Sequence, residues 1–165
     1  MIDPFVACAV AGGAGVGAVI DLRTRRVPNW LTFGTAAIGL LLAVIRGHQL
    51  GFAIGGLVLG AALMLPGHLV GATGAGDVKL LAALGSWLGP AGTVTAFLYS
   101  ALAGGAIAII VAVHRGRLQT TLQRTAALAR SGSGLAAEIG RAPAAGRFAY
   151  APAIAIGALA VALGW

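Results

Sequence analysis

Two of the chain's four acidic residues stand where so apolar a polypeptide has little means of solvating charge. Asp21 closes the first apolar segment, and Asp77 opens the fourth, within the stretch "VGATGAGDVKLLAALG" at 70–85. A carboxylate at membrane depth is costly to keep and usually functional. Asp3 and Glu138 fall in the terminus or a loop, where water can solvate them. The bland roles for the other pair are an N-cap for Asp77 and an ion pair with nearby arginines for Asp21. Meeting at one membrane face makes a shared role the better account. Like charges held close together favour a state in which one group is protonated and the other ionised. The ionised group can take a proton from water, while the protonated one polarises a peptide carbonyl. No Ser–His or Cys–His pair offers competing chemistry. His48 falls on the other side, and His68 and His114 sit at segment ends and read as loop residues.

The surroundings of the two acids are small. Ala18, Gly17 and Ala14 precede Asp21 by three, four and seven positions, which places them on its helical face. Such a face leaves room for a peptide. Around Asp77, Gly74 and Gly76 permit unusual dihedrals and the close approach of a substrate chain. Irregular backbone within a membrane is tolerated only when protein covers it or it lines a wet cavity. Lys79 follows Asp77 by two positions, about 200° around a helix. It belongs to the same motif, but it should point away from the acid and snorkel.

The elements that must position these residues are membrane helices. Hydrophobic residues fill 59% of 165 positions and charged residues 9%, and the mean hydropathy is +0.95. A soluble domain carries about 25% charged residues, so lipid is the expected solvent. Six apolar segments follow one another: Phe5–Ile20, Trp30–Ile45, Leu50–Val70, Val78–Leu88, Ala91–Val113 and Phe148–Trp165. A crossing takes about 20 residues, so the expected fold is all-α: a polytopic membrane bundle of about six transmembrane helices, forming a single domain over residues 1–165. The first segment lacks a basic start and a small-residue cleavage site, and reads as a permanent span rather than a signal peptide. The fourth, stopped by "GP" at 89–90, is only about 18 Å long at 1.5 Å per residue. It must begin inside the membrane or share its crossing with a partner.

With the N-terminus outside and the spans alternating, Arg23, Arg25, Arg26, Lys79, Arg115, Arg117, Arg124, Arg130, Arg141 and Arg147 fall inside. Of the eleven Lys and Arg residues, Arg46 alone falls outside. That distribution obeys the positive-inside rule and puts Asp21 and Asp77 on the inner side. The net charge of +7 then reflects topology and attraction to anionic lipid rather than nucleic-acid binding, since no basic face is interleaved with aromatics. The connection 114–147 is expected to be cytoplasmic. Its Leu118, Leu122, Thr125 and Ala129 suit an amphipathic helix lying on the membrane surface. The many glycines inside spans suit close helix packing rather than a dinucleotide or phosphate loop. A single cysteine, Cys8, excludes an internal disulfide or a cysteine cage for zinc and reads as a small buried residue.

The stretches "DLRTRRVPNWLT" (21–32) and "GAGDVKLLAALG" (74–85) resemble the two signature regions of the type IV prepilin peptidases, membrane aspartyl proteases with a Gly-x-Gly-Asp motif. "YAPAIAIGAL" (150–159) is similar to the last span of that family. The resemblance implies that Asp21 and Asp77 are the catalytic pair and that Gly74 and Gly76 shape the second motif. It implies a prepilin or pseudopilin substrate, cut after its short basic leader at the inner face of a bacterial plasma membrane, with no cofactor. Many full-length relatives carry an insertion with two zinc-binding cysteine pairs and also methylate the new N-terminus. This chain has neither the insertion nor the cysteines, and resembles the short peptidase-only form of tight-adherence pilus systems. Against an enzyme stands one other class: a transporter or assembly subunit in which Asp21 and Asp77 relay protons or ions.

Overall fold

The structure, a computed structural model, describes residues 3–47, 50–69, 71–114 and 150–164. All its elements are helices: α1 (Pro4–Thr24), α2 (Asn29–Ile45), α3 (Leu50–Leu69), α4 (Ala75–His114) and α5 (Ala151–Ala162). The sequence sets their ends locally. Asp3 caps α1, its carboxylate accepting from the Phe5 N–H at 2.9 Å, and Pro4 occupies the first turn where no N–H is needed. Arg25, in the left-handed region at φ 53°, ends the helix. Pro28, extended, precedes α2.

α4 is one unbroken stretch of assigned helix but two limbs, 75–88 and 90–114. Gly89 adopts φ 67°, ψ −179°, and Pro90 follows. Along a continuous helix Gly85 and Thr93 would stand about 12 Å apart. Instead, a Cβ on Gly85 would lie 2.9 Å from Thr93 Oγ1, so the chain doubles back at Gly89. The fourth and fifth apolar segments are thus the two limbs of a helical hairpin. Phe52 packs directly on Gly89, where only a residue without a Cβ fits.

The first limb is the middle of the bundle. Leu80, Leu81 and Leu84 are fully buried, and Val10 of α1, Met64 of α3 and Ile154 of α5 join the same core. Glycines bring backbones together around it. Gly56 of α3 lies against Gly85, and a Cβ on Gly60 would stand 2.7 Å from the Leu81 carbonyl. Gly157 of α5 lies against Ala96 and Ser100 of the second limb. The outer surface is apolar, with Leu22, Phe33, Leu41, Leu69, Leu102 and Ile109 all exposed. Among the described residues three helices are long and apolar enough to cross a membrane, by length and composition: Pro4–Thr24, Leu50–Leu69 and Ala75–Val111. These features make the chain a helical membrane bundle.

One expectation needs adjustment. Cys8 is exposed on the outer face of α1 rather than buried. Lipid accepts an apolar side chain as readily as a core does, so apolar neighbours in sequence do not mark the inward face. The connection 114–147, apart from His114 at the end of α4, lies outside the described residues, as do Val70, His48 and Trp165.

Candidate active site

The turn between α3 and α4 explains the glycine cluster. The Gly71 N–H bonds to the His68 carbonyl at 3.0 Å and the Ala72 N–H to the Gly67 carbonyl at 2.8 Å, with Gly71 at φ 76°. This is a Schellman closure of α3, with glycine at its left-handed position. Gly74 then opens α4. Its carbonyl accepts from the N–H groups of Asp77 and Val78, and its N–H donates to Asp77 Oδ2 at 2.9 Å. Asp77 therefore occupies the third helical position and reaches back to the residue before the helix, half of a capping box. Gly76 faces the α1–α2 link: a Cβ there would stand 3.1 Å from Val27 Cβ.

Asp21 lies on the face of α1 that carries Val10, Ala14 and Gly17, all buried. Its Oδ2 accepts from the Ala151 N–H at 3.3 Å. The partner is 130 residues away and belongs to the first turn of α5, where free N–H groups favour an anion. Asp21 is 5% and Asp77 6% exposed. Asp21 and, in the opposite sense, His68 act electrostatically on Asp77, and Asp77 acts on Tyr150. Arg25 acts on Asp21. Each carboxylate thus spends its Oδ2 on one backbone N–H. Among the described residues no hydrogen bond reaches the Oδ1 atoms. Two acids from different helices, close enough to interact, can divide a proton between them.

Lys79 points away from the acids, as its position around the helix predicts. Its Nζ donates to Asn29 Oδ1 at 2.9 Å and lies 5.5 Å from the centre of the Phe33 ring. At the far end of the bundle Arg46 pairs with Asp3 at 3.0 Å and lies 5.9 Å from the centre of the Phe5 ring. The arginine that the positive-inside argument set apart does share an end with the N-terminus. Among the described residues no group of three or more His, Cys, Asp or Glu side chains is placed to hold a metal ion.

A sequence model described as the type IV leader peptidase family matches residues 8–109. The chain belongs to the type IV leader peptidase family. Curated members with related sequences are named prepilin leader peptidase/N-methyltransferase. One from Burkholderia pseudomallei (strain 1026b) is 38% identical over 108 residues, covering 61% of this chain and 35% of that protein. The protein of strain K96243 matches equally. One from Xanthomonas campestris pv. campestris is 36% identical over 110 residues, 62% of this chain and 38% of the relative. The matched region thus spans little more than a third of these relatives' length. No solved structure matches the chain significantly.

Within this family member, the residues singled out from sequence separate into two groups. Asp21, Asp77, Gly74 and Gly76 converge at one end of the bundle. Gly17 does not open a groove beside Asp21. A Cβ there would stand 3.2 Å from both Leu80 methyls and 3.7 Å from Leu31 Cδ2, so this face is filled by helix packing, and the neighbouring Ala18 packs against the core. The room expected for a peptide is occupied because a small residue permits either a gap or a close neighbour, and here the neighbour came. Sequence reasoning quoted Tyr150 and Ala151 only as the start of the last span; their approach to the two acids, being long-range, leaves no local sign. It also took His68 for an ordinary loop residue, whereas His68 ends α3 with its ring bonded to the turn that precedes Asp77.

Proposed function

We propose that this chain is a membrane-embedded aspartic endopeptidase that removes the basic leader of type IV prepilins, with Asp21 and Asp77 as its catalytic pair. The observation that carries the reading is that these acids, buried and drawn from α1 and α4, are each tied down by a backbone N–H and lie close enough for Asp21 to act electrostatically on Asp77. Family membership and the names of the relatives support the substrate class. In the proposed mechanism one aspartate is ionised and removes a proton from water while the water oxygen attacks the peptide carbon. The other gives its proton to the carbonyl oxygen, forming a tetrahedral diol. The protons then run in reverse: the diol collapses, the C–N bond breaks, and the departing nitrogen is protonated. Gly74 fixes Asp77 through its N–H, and Gly76 lets the 25–28 link approach the motif. The crowding of basic residues near the acids supports a cytoplasmic location for this end in a bacterial inner membrane. The proposal covers peptide cleavage alone: methyl transfer, the second half of the relatives' name, is not part of it.

The deciding experiment mixes purified protein in detergent with a prepilin and follows leader loss by mass spectrometry, with no ion gradient present. Cleavage by the wild type and none by Asp21→Asn or Asp77→Asn is the expected result. Absence of cleavage, together with proton movement across vesicles that depends on the two acids, would establish the relay reading instead.

A further inference from the structure

One peptide group connects His68 to Asp77. The Thr73 carbonyl can only accept, so His68 Nδ1, 3.2 Å away, must carry the proton and donate to it. The N–H of the same peptide group belongs to Gly74, and it donates to Asp77 Oδ2 at 2.9 Å. The amide conjugates its two poles, so a donor at the carbonyl makes the N–H a better donor, strengthening each bond by roughly 10–30%. We infer that His68 is a positioning residue for Asp77, acting through the Thr73–Gly74 peptide.

The fold gives this arrangement its force. His68 stands in the last turn of α3, and α3 is locked to the first limb of α4 by backbone contact at Gly56 with Gly85 and Gly60 with Leu81. Its ring is therefore fixed relative to the helix that Asp77 opens. The peptide between them is not fixed by its own chemistry. It lies in a turn with glycine at 71 and 74, where a peptide plane can rotate with little steric cost. Rotation would carry the Gly74 N–H away from Asp77, whose carboxylate has no other hydrogen bond among the described residues. His68 holds the plane in the orientation that serves Asp77. Lys79, the nearest cation along the helix, does not substitute for it, being engaged with Asn29.

The inference rests on the peptidase reading, and its test separates the two. His68→Leu keeps the bulk and removes the donor. His68→Asn places an amide N–H close to where Nδ1 stands, and His68→Gln places one farther out. With wild-type cleavage established as above, His68→Leu is expected to lower kcat about 10- to 100-fold, the scale of a sub-ångström misplacement. KM should be nearly unchanged, because the loss is in orientation rather than binding. His68→Asn should recover to within about threefold of wild type, and His68→Gln should not. A second readout needs no activity. In 15N-glycine-labelled protein the Gly74 amide proton should move upfield and exchange faster in the Leu variant, and return in the Asn variant. A Leu variant with wild-type kcat, an Asn variant no better than Leu, or a Gly74 amide indifferent to all three substitutions overturns the inference. If the wild type does not cleave, the peptidase reading falls, and the amide measurement still decides the link from His68 to Asp77.

Discussion

Gly17 and Leu80 offer the sharpest perturbation of the proposed dyad without touching either acid. Gly17 lies one turn before Asp21, and Leu80 one turn after Asp77, so their contact sets the spacing of the two helices just beneath the carboxylates. In Gly17→Ala the new methyl would sit 3.2 Å from both Leu80 methyls. Favourable carbon contacts lie at about 3.5–4.0 Å, so relief requires roughly 0.3–0.8 Å of movement. Leu80 is fully buried and cannot swing aside, and the helices themselves must part. Overpacking of this kind costs about 1–3 kcal/mol. Since about 1 Å of misplacement in a catalytic constellation costs on the order of 100-fold in rate, half that displacement predicts a loss of about 10-fold in kcat. Thermal unfolding in detergent measures the first effect and leader release from a prepilin the second. Leu80→Ala makes space for the same methyl, so the double variant should be less impaired than the sum of the single ones, by about 0.5–3 kcal/mol. Wild-type rate and stability in Gly17→Ala, or strict additivity in the double variant, would refute the idea that this contact sets the dyad.

Asp21→Asn and Asp77→Asn retain an oxygen able to accept from Ala151 or Gly74, so both should stay folded within about 1 kcal/mol, while cleavage falls by about 100- to 10,000-fold; a near-normal rate in either variant removes that residue from the mechanism. A pair that works with one acid protonated and the other ionised should give a bell-shaped dependence of kcat on pH, whose two apparent pKa values belong to the pair; a flat profile across the acid range contradicts it. Gly89→Ala places a methyl into the Phe52 ring at a positive φ, and should lower the unfolding temperature and the yield of inserted protein more than Gly105→Ala, whose added Cβ meets nothing within 4 Å. Single cysteines introduced in the Arg23–Pro28 link should be labelled only from the cytoplasmic side, and one beside Arg46 only from outside; the reverse pattern overturns the topology argument.

What the sequence revealed, and what it hid, follows from the solvent. Breaks in the apolar runs located the helices, and "GP" marked the reversal of α4, because glycine and proline act through the backbone whatever surrounds them. Asp21 and Asp77 stood out in the sequence because lipid makes a carboxylate conspicuous, and both are buried in the bundle. The inward faces were not. A helix between protein and lipid is apolar on both sides, so Cys8 was misplaced, and the Gly17 face was read as vacant rather than packed. The Asp21–Ala151 contact was invisible for a different reason: nothing near either residue signals a partner 130 positions away.

That last contact governs when the site comes into being. During synthesis Asp21 enters the membrane long before the helix whose first N–H will receive it. At translation rates of about 5–20 residues per second the interval is roughly 6–26 s. For that time α1 holds a carboxylate with its closing partner still unmade. Assembly of the proposed site is thereby tied to arrival of α5, so a half-inserted chain does not yet hold both acids in their final places.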